Sequence, residues 1–238
     1  MKSNLKIGGY SIMYDLVKGK RHQVRISFTP ENLLRIESGS GKLGPFEKKF
    51  IEKNEKWILR SFQNNQVEAV KRQKFFKDLR EEVSLLGIAR KLRFVISRDT
   101  RYHYTGDGEF IVFAPANMIS EYRIELLRFA ILAFASNYIE KRTNKWAKEM
   151  NLFPKKISIK SHRSKWGSCS SLGNINLNWY LILLDKWLVD YIIVHELAHL
   201  KELNHGPKFW RLVEAYMPDH KTARKQLNDL QWVIGILD

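Results

Sequence analysis

Five residues, His195-Glu196-Leu197-Ala198-His199, constrain this chain more than any other stretch. Positions four apart on an α-helix share a face, so the two imidazoles can converge on one ion. Glu196, next to the first imidazole, can reach a water held by that ion. Zinc in such a place acts as a Lewis acid and lowers the pKa of a water to about 7. The surrounding residues predict the helix independently. Asp185 is an N-cap, the helix runs to about Lys201, and Leu184, Leu188, Tyr191, Ile192 and Val194 make it a core element. Two buried histidines bonded to backbone would also suit a core helix, but they give no reason for a glutamate between them.

A catalytic zinc site takes three protein ligands and keeps one position open. His205 is one candidate for the third. Asn204 before it tolerates a turn, and Gly206-Pro207 after it reads as a cap followed by the first position of a new helix. Glu214 is the other, on a helix Pro207–Met217 that packs through Phe209, Trp210, Leu212, Val213 and Tyr216. The turn chemistry favours His205.

These residues, with Leu200, Asn204-His205 and Phe209-Trp210, resemble the YgjP-like (SprT-like) zinc metallopeptidase family. The runs Arg163-Ser164-Lys165-Trp166-Gly167-Ser168-Cys169-Ser170 and Gly173-Asn174-Ile175-Asn176-Leu177-Asn178-Trp179 are similar to its second signature. The resemblance is strongest over residues 155–217. It implies one zinc ion per chain held by His195, His199 and His205, with Glu196 as general base and polypeptide as substrate.

The second signature also has a direct physical reading. Asn174, Asn176 and Asn178 alternate with Ile175, Leu177 and Trp179, which predicts a strand with one polar and one packed face. A strand just upstream of the metal helix is expected to border a cleft and pair with an extended peptide, which makes the three asparagines candidate substrate contacts. Arg163 and Lys165 are candidates for stabilising a developing oxyanion, with Trp166 packed into the core. Cys169 is the only cysteine, so the chain has no internal disulfide, which suits a reducing cytosol. A small buried thiol is its expected role, and His162 and His220 are expected at the surface.

Composition bounds the rest. A chain of 238 residues with 44% hydrophobic and 12% aromatic residues has ample material for a globular core. No apolar run is long enough for a membrane span and the first residues show no signal-peptide core, so a cytoplasmic protein is expected. The formal charge of +16 favours polyanionic partners, nucleic acid or nucleotides among them, without marking a site.

Strands are predicted at Ile7–Leu16, Gln23–Phe28 and Leu33–Glu37, then a helix carrying Phe46, Phe50, Trp57, Ile58 and Phe62. The polar stretch 63–82 is either a solvated helix or a link. Strands near Leu92–Ser97 and Glu109–Ala114 flank a Gly106-Asp107-Gly108 turn, and a long helix spans about Ser120–Met150 before a strand at Ile157–Ser161. No internal repeat is evident. The predicted fold is α+β: a strand-rich part over residues 1–80, and a zincin-like metallohydrolase domain over 81–238 that carries the metal helix and a small sheet. A zinc peptidase acting on extended or unfolded polypeptide is the first functional expectation. The others are a metal-dependent nucleotide phosphohydrolase and a nucleic-acid-associated metal-binding protein.

Overall fold

The computed structural model describes residues 3–20, 23–29, 32–105 and 108–237, and the chain divides into two units, Met1–Phe76 and Lys77–Asp238. In the first, strands β1 (Ser3–Ile7), β2 (Tyr10–Lys18), β3 (Val24–Phe28) and β4 (Leu34–Ser38) form a sheet in the order β1-β2-β4-β3. Helices α1 (Pro45–Lys53) and α2 (Glu55–Asp78) follow. Ile7, Ile12, Leu34, Ile36, Ile51 and Ile58 form the core of this unit. Where one strand was expected from Ile7, there is a hairpin. Gly8 and Gly9 both have positive φ, 52° and 83°, the geometry of a two-residue turn whose twist matches its strands. The expected helix through Phe46 and Phe62 breaks at Asn54, and the polar stretch beyond it is helical to Asp78.

The second unit opens with strands β5 (Glu82–Leu85), β6 (Ile88–Ile96), β7 (Arg101–Tyr104) and β8 (Glu109–Ala114), in the order β5-β6-β8-β7. Helices α3 (Ala116–Glu121) and α4 (Arg123–Met150) come next. This arrangement repeats the first unit. Both sheets pair their strands antiparallel, parallel, antiparallel across the order. The registers also correspond: Ile7↔Tyr10, Tyr14↔Leu34 and Phe28↔Leu34 in one sheet match Leu85↔Ile88, Leu92↔Phe110 and Tyr104↔Phe110 in the other. The first hairpin of each turns through two residues of positive φ, Gly8-Gly9 and Leu86-Gly87. Leu34, Ile36 and Ser38 are fully buried, as are Phe110, Val112 and Ala114 at the same register. The expectation of no internal repeat is therefore corrected. Burial is repeated where identity is not. Of the expected Gly106-Asp107-Gly108 turn, Gly106 and Asp107 lie outside the described residues.

After α4 the second unit adds what the first lacks. A three-stranded sheet of β9 (Lys156–Lys160), β10 (Gly167–Cys169) and β11 (Asn174–Asn178) has the order β10-β11-β9. A 3₁₀ turn, Trp179–Leu183, leads into α5 (Lys186–Ala198), followed by α6 (Pro207–Tyr216) and α7 (His220–Asp229). From Leu188 to Ala198 every residue of α5 except His195 is buried. A helix apolar on all sides is a central core element, and it gives the residues at its end a rigid mount. α5 packs on α4, where Asp190 accepts bonds from Arg142 Nη2 (2.7 Å) and Trp146 Nε1 (2.9 Å). No helix among the described residues is long and apolar enough to cross a membrane.

Candidate metal centre

His195 lies in the last turn of α5 and His199 is its C-cap residue. The chain then turns through Asn204 and His205 to Gly206, the N-cap of α6, with Pro207 at its first position. This turn returns His205 to the helix end. His205 Nε2 is 3.1 Å from both His195 Nε2 and His199 Nε2. Three nitrogens bound to one zinc at about 2.0–2.1 Å in tetrahedral geometry lie roughly 3.3 Å apart, so the cluster is close to a ligand set. Glu214 is exposed on α6 and is not part of this cluster.

The imidazoles are prepared as ligands. His199 Nδ1 lies 3.0 Å from the Glu202 carbonyl oxygen, which can only accept, so Nδ1 carries the proton and Nε2 keeps its lone pair. Tyr191, 2% exposed, places its hydroxyl 3.4 Å from His195 Nδ1. Burial, with the neighbouring His199 and His205 and the charge of Arg224, holds the His195 pKa down to about 3. Burial likewise lowers that of His199. Both rings are therefore neutral at neutral pH, and each brings its Nε2 to within 3.1 Å of His205 Nε2, contacts that a shared cation or proton would relieve. Phe209, fully buried, forms the floor: it stacks on His199 at 4.5 Å and meets His195 and His205 edge-on at 4.9 and 4.8 Å.

Glu196 carries the strongest sign that something belongs here. It is 6% exposed and its Oε2 has no hydrogen-bond partner. Burial raises its pKa to about 8, against the pull of the Lys165 charge. A buried carboxylate oxygen without a partner costs free energy unless a ligand satisfies it. Its carbon chain lies against Gly167 of β10, where a Cβ would come within 2.8 Å of both Cγ and Oε1. The residues thus fit a metal with a water beside it: three convergent imidazole nitrogens and a buried carboxyl group whose Oε2 has no partner.

The strand that borders this site is not the one expected. β11 is paired on both sides, with β10 and with β9, so it offers no edge to a peptide. Residues directly opposite in an antiparallel pair share a face. Gly167 faces Glu196, so its partner Leu177, and Cys169 with Ile175, belong to the metal side. Asn174 and Asn176 project from the other face, where Asn176 Nδ2 contacts Ser168 Oγ at 3.4 Å. Asn178 is fully buried. It donates to the carbonyls of His162 and Lys165 and accepts from Tyr180 N–H, so it pins the loop that carries Lys165 rather than touching substrate. The strand alternates as the sequence predicts, with Asn174 and Asn176 on the face away from Glu196. Among the described residues the outer strands of this sheet are β10 and β9, and β10 is the one that carries Gly167 against Glu196. Its bonds to β11 run through Trp166 and Ser170, so the alternation turns the backbone groups of Gly167 and Cys169 outward.

Residues 46–230 match the profile described as "YgjP-like, metallopeptidase domain", which spans most of the chain. The chain belongs to the YgjP-like metallopeptidase family. Its β1–β4 sheet lies outside the matched stretch. No curated protein matches. Among solved structures, the metallopeptidase zymogen of Methanocaldococcus jannaschii jannalysin is 31% identical, covers 40% of this chain and 97% of its own, and has a TM-score of 0.35. The metallopeptidase zymogen of Pyrococcus abyssi abylysin is 25% identical over 37% of this chain and 90% of its own, with a TM-score of 0.35.

Further residues of this YgjP-like chain lie around the site. Trp210 stacks on His205 at 5.6 Å and on His220 at 5.4 Å. His220, expected at the surface, is 4% exposed, because it closes this stack from α7. Arg224 lies 4.6 Å over the Trp210 ring. Lys165 and Arg163 are exposed on the loop before β10, and Lys165 is close enough for its charge to act on Glu196. Cys169 is half-buried, and burial raises its thiol pKa. Gly167 was the least visible of these in the sequence, since a glycine states only that space is short.

Proposed function

We propose that this YgjP-like metallopeptidase is a zinc peptidase that cleaves extended or unfolded polypeptide, with Glu196 as general base. The observation that carries the reading is the buried Glu196 side chain, whose Oε2 has no partner, which follows the first of three convergent imidazoles and packs against Gly167 of the outer strand β10. His195, His199 and His205 would hold the ion, which when bound supplies a Lewis acid for the scissile carbonyl and the attacking water. The charge of a bound ion would favour the ionised form of Glu196, whose carboxylate would then take the proton of the attacking water and pass it to the leaving amine. Gly167 leaves room for the carboxylate. Its outward N–H and C=O, with those of Cys169, pair with the substrate main chain, which gives affinity with little sequence demand. Lys165 faces the negative charge that grows on the carbonyl oxygen.

Three replacements test the reading. Glu196→Gln keeps the shape and loses the base, so cleavage of an unfolded protein should fall by at least about a hundredfold while zinc, measured by elemental analysis, stays near one per chain. His205→Ala should lose most of the zinc and Glu214→Ala should keep it. Full turnover by Glu196→Gln, or metal loss in Glu214→Ala alone, sinks the assignment.

A further inference from the structure

We propose that the first unit carries a second polypeptide-binding site, a groove along β1 that takes an extended segment bearing aliphatic side chains. The inference deepens the peptidase reading and rests on it only in naming unfolded polypeptide as the occupant.

The repeat supplies the argument, because it shows what covers the equivalent position in the second unit. There the edge strand β5 is covered by the chain's own apolar segment Trp179–Leu183, with Leu86 N–H bonded to the Ile182 carbonyl at 2.8 Å. Gly87 lies so close to the following Asp185 that a Cβ would come within 2.3 Å of its Oδ1. Val83 and Leu85 there are both 1% exposed. In the first unit the strand at the same register is β1, where Leu5 and Ile7 correspond to Val83 and Leu85. Among the described residues β1 pairs with β2 alone, and Leu5 remains half-exposed.

Beside β1 lies a cavity of about 240 Å³ floored by Leu5, Ile7 and Ile51 and rimmed by Lys48, Glu52 and Glu55. Its volume is below the roughly 300–1,000 Å³ typical of small-molecule sites, so it suits side chains better than a cofactor. Its rim mixes both signs, which argues against a phosphate. The main chain is also available. The two-residue turn makes Ile7 and Tyr10 a bonded pair, so the groups of Asn4 and Lys6 alternate outward along the open edge. An open strand edge beside an apolar pocket is the arrangement that receives a peptide by strand addition.

The test uses the full zinc-loaded chain carrying Glu196→Gln, so that nothing is cut, and fluorescein-labelled casein as the unfolded probe. Lys6→Pro removes one outward N–H without touching the hairpin ladder, and Leu5→Glu places a charge on the pocket floor. Each should weaken binding, measured by fluorescence anisotropy, by about tenfold. Leu5→Val should bind like the parent. In the Glu196-intact enzyme, turnover of a four-residue peptide should be unchanged by Lys6→Pro. Unaltered casein affinity in Lys6→Pro overturns the proposal, whether or not Leu5→Glu folds. If the Glu196-intact enzyme fails to cleave casein while Lys6→Pro still weakens binding, the peptidase reading falls and the groove stands.

Discussion

At the scale of single residues, the site depends on two that do no chemistry. Gly167 is the first. The contact distances at its missing Cβ fall on the buried Glu196 side chain, which has little freedom to retreat. Gly167→Ala should therefore push the carboxylate out of place. Turnover should drop by about a hundredfold, the loss expected when a general base is misplaced, while zinc content stays near one per chain. An alanine variant with normal turnover would show that Glu196 can shift at no cost, and would remove the close packing from the account. Trp210 is the second. Stacked between His205 and the buried His220, it steadies the one imidazole of the three that sits on a loop. The three histidines could be read from spacing and turn chemistry because those signals are local. Gly167 could not, because its role comes from Glu196, which meets it only in the fold, and the stacking of Trp210 and His220 depends on how α6 and α7 pack.

At the scale of elements, the metal helix was the most legible feature and its neighbouring strand the least. Apolar residues on every side of α5 forecast a buried helix, and it is one. The period-2 pattern of Asn174–Asn178 forecast a strand, but a period cannot say which face meets the cleft or whether a strand is central or at an edge. That depended on the short β10, whose three residues carry no pattern to read. What holds α5 in place is also non-local. Asp190, 6% exposed, receives Arg142 and Trp146 from α4, with Lys186 at 3.8 Å. Asp190→Ala would leave the largely buried Arg142 guanidinium without its carboxylate, which typically costs about 3–5 kcal/mol. Urea unfolding should show that loss, and zinc affinity should fall with it as the helix end loosens. A loss below about 1 kcal/mol would mean that the pair is solvated like a surface ion pair.

At the scale of the whole molecule, the chain is a strand-and-helix unit built twice, and only the second copy is extended by the segment that carries the three convergent histidines. The repeat was hidden because the two sheets share burial at each register position but not residue type: Leu34, Ile36 and Ser38 stand where Phe110, Val112 and Ala114 stand. Each unit has its own core, and all three imidazoles belong to the second. Metal binding should therefore stabilise one unit and not the other. A ligand at a hundred times its dissociation constant adds about 2.7 kcal/mol to the unit that binds it. For a unit of this size that corresponds to roughly 5–11 °C in Tm. Calorimetry of the zinc-loaded chain should then give two transitions, and chelation should lower one of them by about that amount while the other stays in place. Replacing His195 with Ala should move the same transition and no other. A single transition that shifts as a whole on chelation would show that the two cores unfold as one, and that the division into units does not extend to their energetics.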